Sequence, residues 1–513
     1  MKEKKNILGA VSSVMVIMVL SRLLSLVSNQ VYMSHFGASD IYLNIYSYAI
    51  SIPNVIFTCV GTALSTVVIP IYVGHMALGK HKEAKRFADN IITISLALTL
   101  LLVAFGVAIS PILPKATAFG KSEETYYFAT MALMTVMPVM FFYALNYIFQ
   151  GMLQAVGRYK LPAFVSVPSS LVVILYTVLL GDRYGVKGLL VATIIGLSLQ
   201  ALILIPPLVK EGYIYRPSFE IKHPDIIKAG KMTVPVLLGV GAYQLNMFYN
   251  NTMIARFEGM VTLLMFVQNI TIYLVLAFIY SITAVIYPRL SESASKGDME
   301  EYKNTLSGIL MSVCALLIPM TFGFIGVRES LLSLIAGWGK ITNSEIMGAA
   351  LLLCGYSIGI TGIGLKEILD RALYALGNTK ISAVNGVVIM VVNISLSLVL
   401  MHFLGAYGIP VAYSAASLVG MCVLLWAIRK KVGSYAKGLG MTVLKCTIAS
   451  LIMLCAVEAL NFVIPAGGGI LMRAVRLFVP VGAGLLVYYI MAVILKIKPV
   501  VDFTGKILKR GKI

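Results

Sequence analysis

Long apolar runs separated by short polar segments recur along the whole chain, near 8–35, 41–73, 91–113, 125–154, 161–181, 186–208, 232–256, 262–287, 305–327, 346–374, 381–404, 408–428, 439–463 and 471–495. A bilayer core needs about 20 apolar residues per helical crossing. Lipid offers no hydrogen-bond partners, so each crossing must satisfy its own backbone as a helix. A membrane β-barrel would instead show short alternating segments. The pattern predicts an all-α integral membrane protein of about fourteen transmembrane helices. Pro53 and Pro138 fall inside long runs and are expected kink points.

Composition agrees. Of 513 residues, 59% are hydrophobic and 12% charged, where a soluble chain would carry roughly 25% charged residues. With the N-terminus in the cytoplasm, the cytoplasmic segments hold 28 of the 41 Lys and Arg residues and the opposite loops hold 9. This bias is the positive-inside pattern, and it predicts cytoplasmic N- and C-termini. It also accounts for the net charge of +20 without any nucleic-acid partner. The first run contains Arg22 and is followed by no small-x-small site, so it is read as a span and not a cleaved signal peptide. The six cysteines lie in apolar stretches and are expected to be free buried thiols.

The chain also repeats itself. Gly157 and Lys160 match Gly377 and Lys380; Gly185, Gly188, Val191 and Ala192 match Gly405, Gly408, Val411 and Ala412, all 220 residues apart. Pro70, Gly79 and Glu83 match Pro288, Gly297 and Glu301 at an offset of 218. Gly and Pro set backbone geometry at span ends, so a repeat would keep them. Six spans per copy is an even number, so both copies enter the membrane in the same direction, the parallel type of transporter repeat. The expected organisation is a six-helix bundle over 1–220, a second over 221–438, and two additional helices with a basic cytoplasmic tail over 439–513.

Polar residues concentrate in the first two spans of each half: Arg22, Asn29 and Gln30; Asn44 and Asn54; Gln244, Asn246, Asn250 and Asn251; Gln268 and Asn269. Such groups are costly in lipid and face either a hydrated cavity or a neighbouring helix. Arg22 lies deepest, some 14 residues into its span, and is expected to face a cavity. Lys366–Asp370 and Glu367–Arg371 are spaced as i,i+4 pairs and read as a cytoplasmic helix end. Glu458 has no evident partner. No G-x-x-x-x-G-K-[ST] motif occurs, since Gly120-Lys121-Ser122 lacks the first glycine. The five histidines are scattered, and no loop exceeds roughly 25 residues. The chain is therefore read as a non-enzyme with no cofactor and no metal site.

Four further stretches stand out: Ser21-Arg22-Leu23-Leu24-Ser25 with Phe36-Gly37-Ala38 and Ile52-Pro53-Asn54; Gln244-Leu245-Asn246 with Gly259-Met260-Val261-Thr262 and Leu264; Tyr287-Pro288-Arg289-Leu290-Ser291 with Gly297-Asp298; and Ala372-Leu373-Tyr374-Ala375-Leu376-Gly377-Asn378-Thr379-Lys380. In this order they resemble the MurJ-type lipid II flippases of the multidrug/oligosaccharidyl-lipid/polysaccharide exporter superfamily. The resemblance implies two six-helix bundles plus two helices that help to form a lipid-tail groove. It implies a cavity whose arginines hold a lipid diphosphate, with Arg22 kept. The other charged positions are replaced here by Ser28, Asn29, Phe57 and Asn269, and the aspartates by Asn44 and Asn250. Arg–diphosphate pairing is bidentate, and Asn cannot reproduce it.

The implied function is a flippase, in a bacterial inner membrane, for an undecaprenyl-diphosphate-linked saccharide such as lipid II or a related peptidoglycan precursor. The bundles would rock in alternating access while the prenyl tail stays in lipid. Its partners would be that lipid-linked saccharide and the membrane lipids, with the membrane potential or a monovalent cation as candidates for coupling. The expected substrate-binding residues are Arg22, Asn29, Asn44, Asn54, Gln244, Asn246, Asn250 and Asn269. The alternatives are a flippase for another lipid-linked glycan (capsule, teichoic acid or O-antigen type) and, further off, a drug/cation antiporter of the same superfamily.

Overall fold

The computed structural model describes residues 2–158, 160–435, 438–465 and 469–502. Among them there is no strand. The chain forms two compact units, Met1–Thr262 and Leu263–Ile513.

The first unit contains α1 (Lys2–Phe36), α2 (Ile41–Ala77), α3 (His81–Ile109), α4 (Glu123–Val136), α5 (Val139–Ala155), α6 (Lys160–Phe164), α7 (Val167–Leu202), α8 (Ile205–Lys210) and α9 (Pro224–Ile254). The unit boundary falls inside α10 (Met260–Gln268). The second unit continues with α11 (Leu274–Ser295), α12 (Met299–Gly326), α13 (Arg328–Ala336), α14 (Asn343–Ser357), α15 (Ile360–Ala375), α16 (Thr379–Leu404), α17 (Gly408–Val432), α18 (Leu439–Val463) and α19 (Ile470–Ile494).

Every predicted span falls on helix. Eight helical stretches among the described residues are long and apolar enough to cross a membrane, or nine with α14 and α15 taken as one span bent by 40°. Two of the eight, Lys160–Lys210 and Thr379–Val432, cover 51 and 54 residues and hold two predicted crossings each. Three further predicted spans lie on α1, α2 and α9.

The sequence punctuates these helices by recognisable means. Asp40 accepts a hydrogen bond from Leu43 N (2.8 Å) and caps α2. Asp298 does the same for α12 through Glu301 N (2.9 Å). Thr342 and Glu345 form a capping box at α14. The chain breaks between α4 and α5 at Met137 and Pro138, as the proline predicts. Pro53 does not break α2, which runs through it without interruption.

The repeated glycines share a backbone state. Gly79 and Gly297 have φ of 69° and 73°, Gly157 and Gly377 have 77° and 70°, and Gly185 and Gly405 have 58° and 57°. A side chain resists that left-handed region, which explains why glycine recurs at both copies of each turn.

Each unit has its own core. In the first, Phe87, Ile91, Ile92, Ile148, Met152 and Leu153 join α3 to α5. The extended segment before α9 is strapped to the start of α3. Arg86 donates two hydrogen bonds to the Glu220 carboxylate (3.1 and 2.7 Å). The Asn90 amide donates to Glu220 O (2.9 Å) and accepts from Glu220 N (2.7 Å). Tyr213 donates to Asp89 (2.8 Å).

In the second unit, Leu310, Cys314 and Leu317 of α12 pack with Cys446, Ala449 and Met453 of α18 and with Leu477 and Tyr488 of α19. Tyr488 donates to Ala315 O (2.8 Å). The last two helices are thus integral to the core of this unit. Large apolar side chains point outward from both units, among them Leu101, Phe105, Leu179, Phe403, Trp426 and Leu485, as expected of lipid-facing surface.

Of the cysteines, Cys314 and Cys446 are buried, but Cys422 and Cys455 are exposed, against the expectation of burial. Both sit on long apolar helices, where lipid replaces a protein core. The side chain of Cys59 lies outside the described residues.

Candidate functional site

The eight predicted residues separate by environment. Arg22 is exposed although it lies far along the 35-residue α1. On the adjacent faces of the same helix, Ser21 donates to Ala163 O (3.2 Å), and Ser25 donates to Ser21 O (3.0 Å) and pairs with Ser170 (3.2 Å). These small hydroxyl residues seat α1 against α6 and α7 and leave Arg22 outside that contact. Arg22 lies within electrostatic reach of the Tyr147 hydroxyl. It forms no ion pair among the described residues. An exposed cation midway along an apolar helix is tolerated only where it meets water or an anion. Asn29, two turns on, is half-buried.

Asn54 of α2 is also exposed, and it organises a small polar and aromatic group. Its amide donates to Tyr143 (3.4 Å), and Thr58 donates to its carbonyl (3.4 Å). Phe57 is 1% exposed and stacks between Tyr143 (6.3 Å between centroids) and Tyr147 (6.5 Å). Tyr147 lies directly against Gly61, where a Cβ would come within 2.2 Å of its ring. Arg22, Asn54, Phe57, Thr58, Tyr143 and Tyr147 are therefore one cluster within the first unit. Sequence reasoning missed the two tyrosines. Their i,i+4 spacing on α5, matched to Asn54, Thr58 and Gly61 at i, i+4 and i+7 on α2, was the available signal.

The other polar residues of this unit point inward. Asn44 is fully buried. Its amide donates to Ala38 O and Asp40 O (both 2.8 Å), and its carbonyl accepts from Thr262 N (3.0 Å). Ser47 pairs with Thr262 one turn on (3.0 Å). Gln244, Asn246 and Asn250 are buried on α9, which packs against α2. Tyr48 of α2 meets Thr252 of α9 at 3.5 Å. This is the interhelical bonding by which membrane bundles hold together.

Asn269 belongs to the second unit. It is half-buried and donates to Met265 O (2.8 Å) at the first residue of a π-helical stretch, Asn269–Tyr273. Gln268 beside it donates to Tyr356 (2.7 Å). Such wide turns recur at functional sites.

Two sequence expectations change. Lys366 does pair with Asp370 (2.9 Å), but it also takes Glu367 (3.0 Å), and Asp370 is buried, so the cluster is an interior ion network and not a solvated helix end. Arg371 instead lies over the Tyr374 ring (5.7 Å). Glu458 does have a partner: Arg328 donates to it at 2.6 Å from 130 residues away.

Long apolar helices in two units, one of them carrying midway an exposed arginine with no ion pair among the described residues, fit a polytopic membrane transporter. A sequence profile described as lipid II flippase MurJ matches residues 33–478. The chain is 26% identical over 426 residues to a probable lipid II flippase MurJ of Buchnera aphidicola, covering 82% of this chain and 83% of that one. It is 23% identical over 437 residues to the lipid II flippase MurJ of Burkholderia cenocepacia, with coverage of 83% and 84%. In fold it resembles a structure of lipid II flippase MurJ in an inward closed conformation, with a TM-score of 0.76, 20% identity, and 93% and 97% of the two chains covered. It also resembles an inward-facing multidrug resistance MATE family transporter of the MOP superfamily, with a TM-score of 0.65, 14% identity, and 82% and 99% covered. The chain belongs to the lipid II flippase MurJ family, whose members are multi-pass inner-membrane transporters and not enzymes.

Proposed function

We propose that this chain flips lipid II across the inner membrane, carrying the saccharide-diphosphate head group by alternating access while the prenyl chain stays in lipid. The family match over residues 33–478 supports the reaction. The observation that carries the site is Arg22, an exposed cation on an apolar helix beside a polar and aromatic group. Its guanidinium would take the diphosphate as a planar fork. Asn29 and Asn54 would add donors, and the tyrosines would offer surface to the sugars. Asn44, Gln244, Asn246 and Asn250 would hold the helices that present them. No covalent bond is made or broken, so no catalytic cofactor is called for.

Both termini are proposed to be cytoplasmic on the basic-loop bias, with the membrane potential or a monovalent cation as the driving force. A different lipid-linked glycan is the second reading. Ser28 and Phe57, at positions where the resemblance implies arginines, are buried in packing, so less of the diphosphate-holding charge remains. Complementation of a bacterial strain depleted of its lipid II flippase, scored by the protection or cleavage of lipid II in spheroplasts, separates the two. Restored translocation supports lipid II. A well-expressed chain that restores none refutes it.

A further inference from the structure

At one end of the second unit lies a cavity of about 280 Å³. It is lined by Arg328, Glu329, Glu458, Asn461, Phe462 and Arg476. These residues come from the start of α13, the last turns of α18 and the first turns of α19. The end of α12 completes it through Gly326.

The hydrogen bonding is incomplete in a definite way. Arg328 donates to Glu458 (2.6 Å) and Ile325 O (2.7 Å), and its other nitrogen is 3.9 Å from Glu329. The Asn461 amide nitrogen donates to Gly326 O (2.8 Å). The Asn461 Oδ1 is buried with no partner, and so is the Nε of Arg476. Arg476 makes no ion pair among the described residues. The neighbouring Arg473 is engaged with the Ser333 and Gly337 carbonyls and the Trp338 ring. The cavity therefore offers one unused cationic donor and one unused acceptor, beside two carboxylates that share a single arginine.

The lining charge balances at two arginines against two glutamates. A bare phosphate would satisfy Arg476 but would face Asn461 Oδ1 and both carboxylates. A bare cation would satisfy the acceptors but would face Arg476. A group carrying both charges within a few bonds satisfies all of them: its phosphate accepts from Arg476, and its ammonium donates to Asn461 Oδ1 and a glutamate. The surroundings indicate where such a group comes from. Phe462, which lines the cavity, is 93% exposed, an apolar surface at the opening that suits an acyl chain.

We propose that this cavity is a binding site for the head group of an aminophospholipid with a primary ammonium, of the phosphatidylethanolamine class, held at the α12–α13–α18–α19 end of the second unit. The amine must carry N–H donors, so the trimethylated choline head group does not substitute. An acidic glycerol head group can donate a hydroxyl to Asn461 Oδ1 but brings no cation, so its net negative charge faces Glu329 and Glu458 uncompensated.

The test is native mass spectrometry of the full-length protein, delipidated and then titrated with phosphatidylethanolamine, phosphatidylcholine or phosphatidylglycerol. The expected result is retention of phosphatidylethanolamine about tenfold above the other two. Arg476→Ala should reduce it to the phosphatidylcholine level, and Glu329→Gln should weaken it without a change in melting temperature. Soluble phosphoethanolamine should compete only weakly, because the apolar surface is left empty. Equal retention of all three lipids by the unaltered protein overturns the proposal, and this comparison needs no variant to fold. Undiminished preference in a folded Arg476→Ala also overturns it. Equal competition by soluble phosphoethanolamine would reassign the site to a free metabolite and likewise overturn the lipid assignment.

Discussion

Asn44 offers the sharpest test of whether a polar residue in a span serves substrate or structure. In Asn44→Leu the number of side-chain heavy atoms is kept, though the methyls take more room, and three hydrogen bonds go. Asp40 O still accepts from the residue 44 backbone N–H (3.0 Å), so it is not orphaned. Ala38 O and Thr262 N lose the partner that Asn44 supplies. A buried group left unsatisfied costs about 1–3 kcal/mol, while side-chain bonds between membrane helices average about 0.6 kcal/mol and reach about 1.7. Two orphaned groups, with the loosened seating of the first turn of α10 against α2, then amount to about 2–4 kcal/mol. The expected outcome is a clear fall in the apparent melting temperature of the purified protein and a lower steady-state abundance. Flipping per surviving molecule should stay near that of the unaltered chain. The measurements are size-exclusion fluorescence after heating and lipid II translocation normalised to abundance. An unchanged melting temperature together with lost translocation would refute the structural account and return Asn44 to the substrate.

Arg22→Ala should abolish translocation at near-normal abundance, and Arg22→Lys should retain part of it, since a point charge replaces a fork; full transport by a normally abundant Arg22→Ala would exclude the substrate role. Reporter fusions at Gly120 and Gly297 should report opposite sides of the membrane, and a common side would overturn the topology. Gly61→Ala drives a Cβ into the Tyr147 ring, and overpacking of this kind costs about 1–3 kcal/mol, visible as a lower melting temperature. The Arg86 hydrogen bonds hold the Glu220 carboxyl below the usual range. A depressed carboxyl favours the strapped state above the ordinary glutamate pKa and loses that contribution as pH falls through the folded value. Protease cleavage in segment 214–220 should therefore be slow at neutral pH and rise only in acid below the ordinary glutamate range, and Glu220→Gln should flatten that dependence.

The helices were legible because lipid imposes length and apolarity on every crossing, and the matched glycines because turns with positive φ demand glycine at Gly79, Gly157 and Gly185 and at their counterparts. The direction in which polar residues point was not. Asn54 and Asn44 lie on the same helix, yet one is exposed and the other is closed by backbone partners. Both roles call for the same residue types, and only packing separates them. Nor does a sequence repeat dictate which helices pack together. The seventh predicted span begins the second copy, yet as α9 it is packed on α2 within the first unit. Pairs far apart in the chain, such as Arg328 with Glu458, leave no local trace at all.

The positions that differ from the family pattern carry a further consequence. Ser28 and Phe57 are 5% and 1% exposed, so restoring arginine at either would bury a cation in a packed interface. Phe57 has been taken into the packing around Tyr143 and Tyr147, and Ser28 into its own buried contact on α1, so an arginine placed back at either meets packing and not water. In the proposed site, holding of the diphosphate rests on Arg22 and its neutral neighbours. A charge-assisted bond is worth about 1.5–3 kcal/mol, so one guanidinium supplies roughly one to two powers of ten in affinity where several would supply more. A weaker hold on the head group slows capture at low substrate but eases release on the far side. In the proposed site, translocation should depend steeply on Arg22 yet respond only weakly to ionic strength, because the salt dependence of binding grows with the number of charges engaged and here a single guanidinium engages the diphosphate.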